Sequence, residues 1–337
     1  MRKPTLAITS LAATALLALT ACGGNTASET QSASDSSATS SSAQSERTIS
    51  VEDNFGTHEL SLPVENVAVT DNRSFEILQN WGIEPVAAPK SLIPATLSEM
   101  KNNENIVDIG THREPDLEAL AAAEPKLIIN GQRFSQYYED IKELNPEATL
   151  LEFEPREGEP LDQELKRQTK ALGEVFNKEK DAEKLIADFD QALERAKKAY
   201  NPEQKVMAIN VSGSEIGYVA PGKGRFFGPL YDLVGMTPAM EVENTSDNHK
   251  GDDISVEAIA QSNPDVMLVL DRDAAISSGE SAKPAQEVIE GSDALANVKA
   301  VKDKKIILAP SDTYTNENII TYTEMLNQMA DTFEQSK

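Results

Sequence analysis

One cysteine, one tryptophan and three histidines in 337 residues leave little of the side-chain chemistry on which cofactor and metal proteins rely. With a single cysteine, Cys22, no disulfide can form within the chain, so the fold must rest on its core. The histidines, His58, His112 and His249, show no zinc-type spacing, and no nucleophile elbow or phosphate-cradling glycine fingerprint is present. These absences disfavour an enzyme. Positive charge is also scarce: 31 Lys and Arg stand against 56 Asp and Glu, a net charge of −25. That excludes a nucleic-acid binder working through a basic surface. It also argues against a protein lying flat on anionic lipid. Apolar runs are short. The longest, Leu6 to Leu19, is diluted by Thr9, Ser10 and Thr14 and falls below the ~20 residues of a membrane span.

That apolar run nevertheless has a reading. Arg2 and Lys3 precede it, and Leu19-Thr20-Ala21-Cys22 closes it. The layout is a secretory signal cut just before a cysteine that then receives a lipid. Residues 1–21 are expected to be the lipoprotein signal, and Cys22 the lipidated (palmitate-type) first residue of the mature chain. Losing Arg2 and Lys3 takes the balance from −25 to −27 (29 − 56). Residues 22–46, rich in Ser, Ala and Thr, cannot bury enough surface to order themselves and are expected to be a disordered tether. The predicted location is the extracytoplasmic face of a cell membrane, with contact to lipid through the anchor alone.

Order is expected from Arg47. Two short strands flank the turn signal Asn54-Phe55-Gly56. From Val64 short apolar strands (Val67–Val69, Ile83–Ala88, Ile106–Ile109, Leu127–Ile129, Thr149–Phe153) alternate with helices. That rhythm predicts a mainly parallel sheet covered on both faces. Two helical patterns interrupt it. The second, Lys180 to Ala199, lacks Gly and Pro and spans about 30 Å at the α-helical rise. The strand–helix rhythm then resumes at Val206 and runs to a C-terminal helix from about Asn316. An internal echo accompanies this: Leu117-Glu118-Ala119-Leu120 before Pro125, and Val256-Glu257-Ala258-Ile259 before Pro264. In both, the Glu precedes the Pro by seven residues and a strand follows. The predicted fold class is α/β, two Rossmann-like lobes joined by one long rigid helix. The expected boundaries are 47–176 for the N-terminal lobe, 177–201 for the bridge and 202–337 for the C-terminal lobe.

Several runs, taken in order, resemble the substrate-binding lipoproteins of ferric-siderophore ABC importers. They are Ile109-Gly110-Thr111 through Glu114-Pro115-Asp116-Leu117-Glu118, Glu124 to Ile129, Ala171 to Phe176, Ile254-Ser255-Val256-Glu257 and Asn263-Pro264-Asp265. Within that family the chain looks most like the catecholate, petrobactin-type siderophore-binding branch. Gly131-Gln132-Arg133, Pro221 to Phe226, His249-Lys250-Gly251 and Asp271-Arg272 carry this. The resemblance implies that Arg133, Arg225 and Arg272 line a cleft and that His249 can ligate iron. It implies no permanently bound cofactor, a ferric siderophore as ligand, ABC permease subunits as partners and a monomer. It also implies that Glu118 and Glu257, one on each lobe, dock on permease arginines. A solvated helix face is the plainer account of these two.

The residue chemistry agrees in sign. Catecholate oxygens leave their iron complex anionic, and guanidinium groups stay cationic at any physiological pH while offering a planar fork to paired oxygens. The three arginines follow strands, where open α/β sheets place ligands. A chelate that leaves iron positions open would accept the His249 imidazole and a tyrosinate, for which Tyr314 is the candidate. Here the chain has Asp312-Thr313-Tyr314-Thr315-Asn316-Glu317 where the family usually carries Trp-Tyr-Leu and then glycines. Tyr138 and Tyr218 adjoin the proposed cleft loops and are candidates for stacking on catechol rings, as is Phe226, with core packing the competing reading. The arginine trio favours an anionic ferric chelate over cobalamin. Haem stays open, because tyrosine and histidine both ligate it. An adhesin without a small ligand is the remaining alternative.

Overall fold

A computed structural model of the chain describes residues 47–276 and 283–335. The predicted signal, lipidation site and tether (1–21, Cys22 and 22–46) lie outside the described residues. The chain opens with an antiparallel hairpin, β1 (Arg47–Glu52) and β2 (Thr57–Leu62). Its turn is held by Asp53, whose Oδ1 accepts from the backbone N–H of Phe55 and Gly56 at 2.8 and 2.9 Å.

Next come β3 (Val67–Val69), β4 (Ala87–Ala88), β5 (Val107–Asp108), the small antiparallel pair β6 (Gly110–Thr111) and β7 (Glu114–Pro115), β8 (Leu127–Asn130) and β9 (Thr149–Glu152). Five of them form a parallel sheet in the order β5-β4-β3-β8-β9. The strand expected over Ile83–Ala88 shortens to Ala87–Ala88, since Pro85 brings no N–H to a ladder.

The second sheet holds β10 (Lys205–Ser212), β11 (Glu215–Val219), β12 (Thr237–Pro238), β13 (Asp252–Asp253), β14 (Val266–Asp271) and β15 (Ile306–Leu308). Its order is β13-β11-β10-β14-β15, with β12 pairing the start of β10. Here β11 and β13 run antiparallel, while β14 and β15 run parallel to β10.

Side-chain alternation explains how the two sheets share one interior. Val67, Val69, Leu127 and Ile129 of the first sheet, and Val206, Ala208, Val266 and Leu268 of the second, enter one buried cluster. That cluster also contains Leu172, Phe189, Leu193, Met325 and Met329 from the helices between and after the sheets. The intervening residues face the other way. Ala68 and Ile128 pack with Leu120 and Phe134, and Met207 and Ile209 pack with Ile259 and Ile289. This is the period-two pattern of strands buried on both faces.

The long helix is Glu179–Ala199, with Glu179 and Asp181 in its first turn and Lys197 and Lys198 in its last, complementing its dipole. It is not a lone strut. Helix Leu161–Val175 packs on it so closely that a Cβ on Gly173 would lie 2.6 Å from the Ala182 Cβ. The C-terminal helix Ile319–Glu334 returns along it, with Arg195 bridging Asp331 and Glu334. The C-terminal helix starts three residues later than expected, because Asn318 Oδ1 accepts from Ile320 N (2.8 Å) and Thr321 N (3.0 Å) and sets the cap there.

The internal echo is structural. Val67 pairs with Leu127 and Val206 with Val266, a constant step of 139 residues (206 − 67 and 266 − 127). The same step takes Asp116, which caps a helix by accepting from Ala119 N, to Ser255, which accepts from Ala258 N. It takes Glu124 (φ 49°) to Asn263 (φ 46°), both left-handed residues before a proline.

Candidate functional site

Three arginines from separate strand ends meet at one aromatic ring. Arg133 lies in the helical turn Gln132–Tyr137 after β8. Arg272 opens the short helix after β14. Arg225 lies in the glycine-rich loop after β11, and Tyr314 in the turn Thr313–Thr315 after β15. The guanidinium carbons of Arg225, Arg272 and Arg133 stand 4.4, 4.8 and 5.3 Å from the Tyr314 ring centroid.

Local geometry fixes the loop that carries Arg225. Gly224 N donates to Ala220 O and Gly228 N to Gly224 O, both at 2.8 Å. A Cβ on Gly224 would meet Val219 Cγ1 at 2.4 Å, so only glycine fits that bend. The next residue after Arg225, Phe226, adopts φ 62° and turns its ring inward to stack on Tyr322 at 4.5 Å. Phe226 is therefore core.

Each arginine is held differently. Arg225 pairs through Nε with Glu317 and donates from Nη2 to Tyr314 O at 3.0 Å. Arg272 donates from Nη1 to Ser212 Oγ at 3.0 Å, while its buried Nε has no hydrogen-bond partner. A fourth guanidinium, Arg73, touches both Glu154 oxygens at 2.8 and 2.9 Å. Neither Arg133 nor Arg272 has a carboxylate within ion-pair distance among the described residues. The two are related by the 139-residue step (272 − 133) that superposes the lobes in sequence.

These charges reset the titration of their neighbours. Burial works against ionisation of Tyr314, but a hydrogen bond from Arg272 and the charges of Arg225, Arg272 and Arg133 outweigh it. Its hydroxyl is thus held below the usual tyrosine value. Burial and the Arg272, Arg225, Lys250 and Arg133 charges hold the exposed His249 below the usual histidine value. Its imidazole is neutral at pH 7. Burial, followed by the Arg225 charge, lowers Arg133. Burial and the Arg133 charge also lower His112, whose Nδ1 is buried without a partner.

Two predicted stacking residues are engaged elsewhere. Tyr138 stacks on Phe55 of the hairpin, with ring centroids 3.7 Å apart, and burial with Asp53 and Glu152 pushes its hydroxyl up to about 12. Tyr218 is buried in the C-terminal lobe and donates to Met240 O at 2.7 Å. In both cases the aromatic ring supplies packing area that the nearby core takes up.

Sequence reasoning missed Arg73, Glu154, Glu317, Ser212 and the proximity of His112 to Arg133. Arg73 stands four residues past β3, a strand-end position that could have flagged it. Glu317 carries no such signal. The lobes meet across this floor: Asn72 Nδ2 donates to Thr315 O (3.1 Å), and Asn316 and Asn318 each donate to Glu76 Oε2 at 2.9 Å. Asn72, Gln132, Arg133, Arg225, Tyr314 and Glu317 close on one another there and leave no space for a water-sized guest between them. A hollow of about 740 Å³ lies on the C-terminal lobe, lined in part by Ser212, Asn248 and Asp252. It has no arginine in its lining and lacks the donor set of the cleft. Among the described residues, no group of three or more His, Cys, Asp or Glu is placed to hold a bare metal ion.

Two α/β lobes, a long helix between them and a polar cleft where they meet define a bilobal binding protein. The chain belongs to the periplasmic binding protein family, whose model matches residues 67–313. Among curated relatives, the petrobactin-binding protein YclQ of Bacillus subtilis (strain 168) is 29% identical over 275 residues, covering 80% of this chain and 83% of YclQ. The ferric-anguibactin-binding protein FatB of Vibrio anguillarum is 27% identical over 270 residues, covering 80% of this chain and 82% of FatB. The crystal structure of YclQ superposes with a TM-score of 0.70 at 26% identity, over 86% of this chain and 99% of that one. The siderophore-binding protein BauB, solved with two acinetobactin molecules and ferric iron, superposes at 0.73 with 21% identity, over 85% of this chain and 99% of that one, and shows the shared fold.

Proposed function

We propose that this chain is the extracytoplasmic receptor of an ABC iron importer and holds a ferric catecholate-type siderophore between its lobes. The observation that carries this is the convergence of Arg133, Arg225 and Arg272 on Tyr314 where the lobes meet. Converging guanidinium groups suit paired anionic oxygens, and a buried cation without a carboxylate partner is costly unless a guest supplies the counter-charge. YclQ and FatB, named for petrobactin and ferric anguibactin, support the same class of guest.

In this reading the protein binds and releases without catalysis. The iron arrives as cargo inside its chelate. Where that chelate leaves positions open, His249 offers a neutral imidazole and Tyr314 a phenol already inclined to ionise. Residues 47–176 and 202–337 act as the lobes and 177–201 as the bridge, with 1–21 the signal, 22–46 the tether and Cys22 the anchored residue. Among the described residues no helix is long and apolar enough to cross a membrane, which suits anchoring by lipid. The protein works as a monomer that docks on permease subunits through Glu118 and Glu257. Both are exposed and occupy equivalent positions, each second in a capped helix.

The test is a titration of intrinsic fluorescence, with Trp81 the sole tryptophan, against ferric catecholate, ferric hydroxamate, haem and cobalamin. Tight quenching by the first and little by the last is expected. Absence of binding to every ferric catecholate offered would overturn the proposal.

A further inference from the structure

Glu317 is out of place in a cleft that receives an anion. Its side chain is 7% exposed, and it pairs with Arg225. Its charge also reaches Arg73 and Arg133. It does not cap the C-terminal helix, which Asn318 does. Arg73 is matched in the same way by Glu154. Two of the four guanidiniums are thus already neutralised. The two left over, Arg133 and Arg272, stand at equivalent positions of the two lobes.

We propose that Glu317 is a specificity-determining residue that sets the charge of the accepted guest: it cancels Arg225, leaving a cleft matched to a chelate with two anionic arms and penalising a trianion. Selectivity built this way depends on a repulsive element facing the unwanted guest, not on an extra attractive contact to the wanted one. The inference rests on the siderophore-binding function proposed above and names the charge class of its ligand. A tris-catecholate of iron is a trianion. A bis-catecholate, with two coordination positions left open, is a monoanion. Both would feel Arg133 and Arg272, but the trianion suffers more from a buried carboxylate nearby.

The experiment compares the parent with Glu317→Gln, whose amide oxygen can still accept from Arg225. Dissociation constants are measured for a synthetic ferric tris-catecholate and a ferric bis-catecholate at one ionic strength. Removing the carboxylate should tighten binding by roughly fivefold per unit of guest charge, a partly screened short-range interaction. The preference for trianion over monoanion should therefore rise by more than about tenfold. The double variant Arg225→Gln/Glu317→Gln restores the parent's charge count and should return the preference to near the parent's. If Glu317→Gln does not fold, Arg225→Gln against the double variant reads the same carboxylate. Equal changes for both chelates, or a preference that stays shifted in the double variant, would overturn the inference and leave the receptor function standing. A parent that binds neither chelate would overturn the receptor function itself.

Discussion

Replacing Arg272 with Met should make the empty protein more stable and the receptor worse. Arg272 has a buried Nε with no partner and no carboxylate within ion-pair distance among the described residues. A buried donor left unsatisfied costs about 1–3 kcal/mol. The bond to Ser212 Oγ and the stack over Tyr314 return about 1–2 kcal/mol. Met keeps a flexible apolar stem of similar course, ends short of the guanidinium group and removes the charge. The net expectation is a gain of about 0.5 kcal/mol, or roughly 1–2 °C in melting temperature. Binding should move the other way. Charged hydrogen bonds to a chelate contribute about 1.5–3 kcal/mol, so affinity should fall by about ten- to a hundredfold. The assay is a thermal melt of the empty protein beside a fluorescence titration with ferric catecholate. A variant that melts several degrees lower yet binds like the parent would refute the reasoning, because Arg272 would then be a structural arginine.

Asp71 offers a test by pH. It is buried, and desolvation, with help from Glu154, raises its carboxyl to about 6 despite the opposing Arg73 charge. The folded state therefore holds a proton that the unfolded state releases near pH 4, so stability should fall between about pH 4 and 6 by an amount of order 2 kcal/mol. Asp71→Asn should flatten that limb in denaturant titrations, and an unchanged slope would count against it. Charge reversal at both Glu118 and Glu257 should leave chelate affinity unchanged and abolish iron uptake by cells. Uptake equal to the parent's would remove both from the docking surface.

Much of this was legible in the chain. Strand positions could be read because residues buried on both faces form short apolar runs, as at Leu127–Ile129 and Val266–Leu270. Arg133 and Arg272 stand out in the sequence as ligand candidates because each lies shortly past such a run, and strand ends are where such sheets bind ligands. What sequence could not supply was pairing across the lobes. Arg225 and Glu317 are 92 residues apart, and Arg73 and Glu154 are 81 apart. Nothing local marks either carboxylate as a counter-ion. Tyr138 and Tyr218 misled for a related reason. Adjacency to a cleft loop says nothing about which face a ring turns to, and both rings had core neighbours to cover.

The two equivalent arginines would, alone, present a guest with two similar walls. Tyr314, Arg225 and Glu317 break that balance, since all three come from the C-terminal side of the cleft. A guest with two identical limbs therefore meets two unequal walls, and the two ways round of inserting it differ in energy. In the receptor reading proposed above, such a guest loads in one preferred orientation.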